Sequence, residues 1–304
     1  MKASAQVGHR SALPATMARL GALVELTKPR LSSLVLVTML VGFYVGSTGF
    51  LDLSLLLCAL TGTALVAGGA AALNQWAERD LDARMERTRN RPLPSGRLTP
   101  EEVLAFGLTT CLVGVATLAL GVNGLTAALA VATVGIYLLI YTPLKTRTPW
   151  CTVVGAVPGA IPPLMGYAAA NGRLDVGAWA LAGILFVWQL PHFYAIGWIY
   201  RDDYARAGCP MLPVLDRDGS TTARWILFLA IALTAFSIAP AWLGLTGNIY
   251  PISALVLGCA FATTAFMLQR TRTQARARGV FLASIVYLPS LLVALMLDWT
   301  GTAG

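Results

Sequence analysis

Between Asn74 and Pro94 the chain reads NQWAERDLDARMERTRNRPLP, the densest cluster of charges in the sequence. It follows an almost charge-free run, LLLCALTGTALVAGGAAALNQ, at 55–75. Roughly 20 mostly apolar residues are enough for a helix to cross a bilayer. Asn74, Glu78 and Asp82 are spaced four apart. Steps of four stay near one helix face, so the spacing predicts a stripe of oxygen-bearing side chains about 12 Å long. Carboxylate and amide oxygens suit a hard cation such as Mg²⁺, which takes carboxylates, waters and phosphates. Arg84, Arg87, Arg89 and Arg91 follow, and guanidinium forks match phosphate geometry. An acidic stripe beside an arginine cluster, at the end of a membrane helix, reads as a Mg²⁺–diphosphate site at the membrane surface. The competing reading is a plain topology signal with acids balancing it. The Asn-x3-Glu-x3-Asp spacing and a second acidic cluster weigh against that.

Composition sets the class. Of 304 residues 57% are hydrophobic and only 12% charged, against roughly 25% charged in soluble domains. This is the composition of a polytopic, all-α membrane protein. The net charge of +8 does not call for a nucleic-acid partner, because basic residues gather in the inside loops of membrane proteins. Cys58, Cys111, Cys151, Cys209 and Cys259 are scattered without a C-x-x-C, so no disulfide framework or zinc site is expected. Residues 1–30 lack the apolar region of a cleavable signal and read as a short cytoplasmic tail. His9 within it is uninformative.

Nine apolar runs are long enough to span, near 31–50, 54–76, 102–121, 125–143, 152–169, 177–197, 223–244, 248–268 and 280–298. They define one membrane domain at 31–298, with a short C-terminal tail at 299–304. Small-residue segments such as VAGGAAALN and VVGAVPGAIPPLMG favour close helix packing. Pro158, Pro162 and Pro163 predict a kinked or broken fifth span. The charges test the count. With nine spans and a cytoplasmic N-terminus, every Lys and Arg except Arg173 falls on one side, as the positive-inside rule requires. The loops after the second and sixth spans are the longest and carry the acidic clusters. Loops of that length in a compact fold are usually functional.

The second cluster is WIYRDDYARAGCPMLPV, at 198–214. Asp202 and Asp203 fall on the same membrane face as Glu78 and Asp82, and two facing acidic clusters could hold two Mg²⁺ ions around one diphosphate. A solvated helix end is the plainer alternative. In YTPLKTRTP, at 141–149, Lys145 and Arg147 occupy a very short inside loop. They could bind the diphosphate or a carboxylated acceptor, or be ordinary inside charges. His192, in FVWQLPHFYAIGW, lies within a span, and ionisable residues there are functional candidates by default. It could ligate an iron, transfer a proton, or bond to a neighbouring helix.

From Asn74 to Pro100 the pattern NQxxExxxDxxMxRTxxRPLPxGRxxP resembles the first signature of the haem O synthase family, a branch of the UbiA-type intramembrane prenyltransferases. YTPLKTRT, VGAVPGAIPPLMGY, PHFYAIGW and RDDYARAGCPMLPV are similar to further segments of that family in the same order, so the resemblance covers roughly residues 25–298. It implies nine helices around a central cavity capped by the acidic loops. Farnesyl diphosphate would sit on Mg²⁺ held by Asn74, Glu78 and Asp82, with Asp202 and Asp203 facing them. Arg87, Arg91, Lys145 and Arg201 would contact the phosphates, and Arg147, Tyr141 and His192 are further substrate-binding candidates. The acceptor implied is haem B, farnesylated at its 2-vinyl group with addition of water. The cell (inner) membrane, with active-site loops on the cytoplasmic face, is the implied location. A haem A synthase or oxidase assembly factors are the implied partners.

Two alternatives remain at this level. A relative could prenylate an aromatic acid or another tetrapyrrole. A transporter is compatible with nine spans, but transporters usually place functional polar groups near the midplane within repeats, and here the acids gather at one face.

Overall fold

The computed structural model describes residues 15–301; Lys2, His9 and Arg10 lie outside them. Among the described residues the chain is helical apart from turns and one isolated β-bridge between Thr246 and Trp299. The elements are α1 (Ala15–Leu26), α2 (Pro29–Gly46), α3 (Leu53–Ala77), α4 (Arg79–Asp82), α5 (Pro100–Gly121) and α6 (Gly124–Gly135). A π-helical turn (Ile136–Tyr141) and α7 (Thr142–Leu144) prolong α6. Then come α8 (Cys151–Asn171), α9 (Val176–Ile199), α10 (Arg201–Arg206), α11 (Leu212–Leu215), α12 (Ser220–Trp242), α13 (Ile249–Thr271) and α14 (Gln274–Leu297). Nine of these helical stretches, counting α6 through α7 as one, are long and apolar enough to cross a membrane.

Their starts follow from local chemistry. Asp52, Asn123 and Asp175 cap α3, α6 and α9 by accepting backbone N–H bonds. Thr99 and Glu102 close a reciprocal capping box on α5, with Pro100 in the first turn. Such caps satisfy amide donors that no carbonyl of the helix can reach. Gly172 ends α8 in the left-handed region, where a side chain would be strained.

The helices pack largely on their sequence neighbours, α3 on α5, α8 on α9, α12 on α13 and α13 on α14. Across the sequence, α2 lies on α8 while α9 meets both α12 and α14. The spans α8 and α9 are the most buried. Glycines set the closest crossings. A Cβ on Gly42 would lie 2.0 Å from the Pro163 carbonyl oxygen, and one on Gly166 would lie 1.9 Å from that of Met39. In lipid, where apolar burial drives little association, such backbone contact is a main source of helix affinity.

Of the two forms expected for the proline-rich fifth span, kinked or broken, the break is absent: α8 runs unbroken from Cys151 to Asn171 through Pro158, Pro162 and Pro163. Its tight packing against α2 holds the backbone where local propensity would release it. The stretch expected as a tail is helical from Ala15 to Leu26. Ala22 and Leu26 are buried against Ala72, Leu93 and Val103, and Arg97 bonds Glu25 through both terminal guanidinium nitrogens.

Candidate active site

At one end of the bundle the N-termini of α2 and α8 meet the C-termini of α3, α7 and α9. There they enclose a cavity of about 340 Å³. Its polar wall holds Lys28, Asn74, Glu78, Asp82, Arg87, Arg91 and Lys145. Its other wall holds Leu31, Tyr137, Tyr141, Gly155, Phe193, Ile196 and Met211. One cavity thus brings charged and apolar side chains together.

The predicted stripe is present, though not on one unbroken helix. Regular α3 ends at Ala77, and Glu78 takes φ −96°, ψ 10° before α4 begins. The helical hydrogen bonds nevertheless continue, from the Glu78 N–H to the Asn74 carbonyl (2.9 Å) and from the Asp82 N–H to that of Glu78 (2.7 Å). The four-residue register survives, and all three side chains are buried.

Each member of the stripe faces a cation. The Lys28 ammonium donates to Asn74 Oδ1 (3.3 Å), Lys145 to Glu78 Oε2 (2.9 Å) and Arg91 to Asp82 Oδ2 (2.6 Å). Asn74 Nδ2 donates to Thr142 Oγ1 (3.1 Å), which turns the amide oxygen toward the cavity. Glu78 Oε1 is buried with no partner. Burial, and then the nearby Arg91 charge, push the Lys28 ammonium down to about 7. Burial also works against the Lys145 charge, but Tyr141 and Glu78 outweigh it and hold that ammonium above its ordinary value.

Among the described residues no three His, Cys, Asp or Glu side chains cluster as metal ligands. The stripe offers two carboxylates and an amide, which is the donor set for a Mg²⁺ that keeps waters and phosphate oxygens in its shell. The orphaned Glu78 Oε1 fits that role, since a buried carboxylate oxygen without a partner is costly.

The arginine cluster divides. Arg87 and Arg91 line the cavity, while Arg84 and Arg89 are exposed and do not. The Arg87 guanidinium lies over the rings of Tyr200 and Tyr204, 5.4 and 5.9 Å from their centroids. Lys145 and Tyr141 are in the site. Arg147 is exposed, and neither it nor Arg201 lines the cavity.

Neither member of the second acidic pair lines the cavity. Asp202 is exposed on α10. Asp203 is buried but turned to the loop after α4, where it accepts from the Glu86 N–H (3.2 Å), the Arg87 N–H (3.4 Å) and the Arg206 guanidinium. Burial alone would raise its carboxyl, but these donors outweigh it and hold the group below the usual range. Through these bonds Asp203 ties the two loops together. His192 is also outside the cavity lining, bonded through Nδ1 to Ser284 Oγ on α14 (2.7 Å).

The sequence matches the UbiA prenyltransferase family over residues 35–288. The chain belongs to that family. It is 47% identical over 287 residues to a protoheme IX farnesyltransferase of Solibacter usitatus, covering 91% of this chain and 98% of that relative. Its fold superposes on a digeranylgeranylglyceryl phosphate synthase structure with TM-score 0.78 at 17% identity, covering 92% and 98% of the two chains. A UbiA homologue from Archaeoglobus fulgidus bound to GPP and Mg²⁺ superposes at 0.67 with 14% identity, covering 90% and 99%.

This UbiA chain also uses residues that motif reading passes over. Lys28 counts only as an inside charge in the sequence, yet it reaches the stripe from a left-handed backbone (φ 47°, ψ 62°) just before Pro29. A residue before proline is kept out of the right-handed helix, and that K-P step at the mouth of the first span is the available signal. Tyr137 stacks on Tyr141 (5.6 Å between centroids, 10° between planes) along the π-turn. Single π-turns inside α-helices often mark functional sites, but no residue pattern here announces one.

Proposed function

We propose that this chain transfers the farnesyl group of farnesyl diphosphate to the 2-vinyl group of haem B, with Mg²⁺ as cofactor. The observation that carries the proposal is the Asn74–Glu78–Asp82 stripe, matched cation for cation by Lys28, Lys145 and Arg91 in the same cavity as apolar side chains. Identities of 43% and 47% to protoheme IX farnesyltransferases support the choice of donor and acceptor.

Asn74 Oδ1, Glu78 Oε1 and a carboxylate oxygen of Asp82 would hold the metal. Bound there, Mg²⁺ would neutralise charge on the diphosphate leaving group. Lys28, Lys145, Arg91 and Arg87, which line the same cavity, would present positive charge to the phosphates beside that metal. These groups favour departure of diphosphate with the electrons of the allylic C–O bond. Tyr137, Tyr141, Phe193 and Ile196 wall the prenyl chain and keep bulk water from the developing allylic cation. The vinyl terminal carbon forms the new C–C bond, and water supplies hydroxyl to the adjoining carbon with loss of a proton.

The one-sided distribution of Lys and Arg supports a cytoplasmic N-terminus and active-site mouth in the cell (inner) membrane. The product would pass to a haem A synthase or to oxidase assembly factors. The test is a reaction of the full chain in detergent with haem B, farnesyl diphosphate and Mg²⁺. The expected product is heavier than haem B by one farnesyl and one hydroxyl, and is lost with EDTA. Prenylation of an added aromatic acid but not of haem would keep the site and overturn the acceptor. No release of pyrophosphate from any prenyl diphosphate would return the chain to the transporter reading.

A further inference from the structure

His192 lies on α9 one residue before the cavity-lining Phe193. Its imidazole stacks near Trp188 (4.9 Å, 22° between planes) and Phe281 of α14 (5.1 Å, 31°). Trp188 is itself fixed, its indole N–H donating to the Ser284 carbonyl oxygen at 2.9 Å. The tautomer follows from Ser284. Its hydroxyl donates to the Phe281 carbonyl oxygen at 2.6 Å, which uses the one proton a serine hydroxyl has. Its Oγ can then only accept from His192 Nδ1, 2.7 Å away. Nδ1 therefore carries the imidazole proton, and Nε2 carries a bare lone pair.

No hydrogen bond reaches Nε2 among the described residues, and it is not among the enclosed atoms that lack partners. The residue is partly exposed. A histidine serving only to tie α9 to α14 has no need of an open, unprotonated second nitrogen. A ring fixed by an acceptor on one nitrogen and free on the other is how proteins present imidazole to a metal.

We propose that His192 docks the haem acceptor by ligating its iron through Nε2, with Ser284 fixing the tautomer and Trp188 and Phe281 holding the ring. The assignment rests on the haem-farnesylating reading above. It places the acceptor at the α9–α14 seam, where His192 adjoins the cavity-lining Phe193 in sequence.

The test is a ferric haem B titration of the full chain in detergent, followed by Soret and EPR spectra. Product formation by the unaltered protein is assayed in parallel. His192→Ala should lose the histidine-ligated spectrum and bind haem at least about tenfold more weakly. Added imidazole should restore the spectrum, and farnesyl diphosphate binding should be retained. Ser284→Ala should keep ligation but shift the iron–histidine stretch of the ferrous form. His192→Gln decides the matter if the alanine variant does not fold. Unaltered spectrum and affinity in a folded His192 variant, while the unaltered protein still makes farnesylated haem, would overturn the ligand assignment alone. An unaltered protein that neither binds haem nor farnesylates it would overturn both readings.

Discussion

Lys145 donates to one oxygen of the Glu78 carboxylate at 2.9 Å, while the other oxygen of that carboxylate is buried without a partner. The pair is therefore half of an arrangement. If the free oxygen exists for a metal, the role of Glu78 as counter-ion can be separated from its role as ligand. Glu78→Gln should lower turnover by about 100-fold or more and also lower thermal stability, because it leaves the Lys145 charge uncompensated. Adding Lys145→Met should recover much of the melting temperature and none of the activity. Recovery of both together would reduce Glu78 to a structural counter-ion.

The division of the arginines gives a kinetic prediction. Arg87 and Arg91 line the cavity, and Arg84 and Arg89 face outward. A lysine keeps the charge but not the planar fork. Arg87→Lys and Arg91→Lys should each raise KM for farnesyl diphosphate about tenfold. Arg84→Ala and Arg89→Ala should stay within about twofold of the parent. Equal losses at all four positions would mean a diffuse electrostatic field rather than directed contacts.

The nine spans and the first stripe were legible because both depend on spacing along the chain. Hydropathy runs report membrane helices directly, and steps of four keep side chains on one face even where regular helix lapses at Glu78. The orientation of the second acidic cluster was not legible, because adjacency does not tell direction. Neighbouring residues on a short helix diverge by about 100°, so Asp203 turns in toward the Glu86 and Arg87 amides while Asp202 turns out. Lys28 was invisible for a related reason. The K-P step announces the backbone turn at Pro29, but the place of Lys28 in the site also depends on the packing of α2 beside α3, which no residue pattern states. Local propensity at the prolines of α8 allows a kink or a break, and the surrounding packing overrides the break.

That override is testable at the crossing of α2 and α8. Any side chain at Gly166 would bring its Cβ within 1.9 Å of the Met39 carbonyl oxygen, a backbone atom that cannot swing aside. Overpacking of this kind costs about 1–3 kcal/mol. Gly166→Ala should lower the thermal midpoint in detergent even though alanine favours helix. Gly135→Ala is the control, because nothing lies within 4 Å of its Cβ, and it should be neutral or slightly stabilising.

The two aspartates of α10 give opposite expectations from those of the motif. If Asp202 and Asp203 formed a second metal wall, removing either would abolish turnover. In this fold Asp202 is exposed, and its replacement by alanine should leave the activity within about twofold. Asp203 joins α10 to the loop that carries Arg87, through the amides of Glu86 and Arg87. Asp203→Ala should free that loop, raise KM for farnesyl diphosphate and expose the Glu86–Arg91 segment to faster amide exchange. The Mg²⁺ concentration giving half-maximal activity should hardly move. A large rise in that concentration for either variant would restore Asp202 or Asp203 as a metal ligand and require α10 to turn when substrate binds.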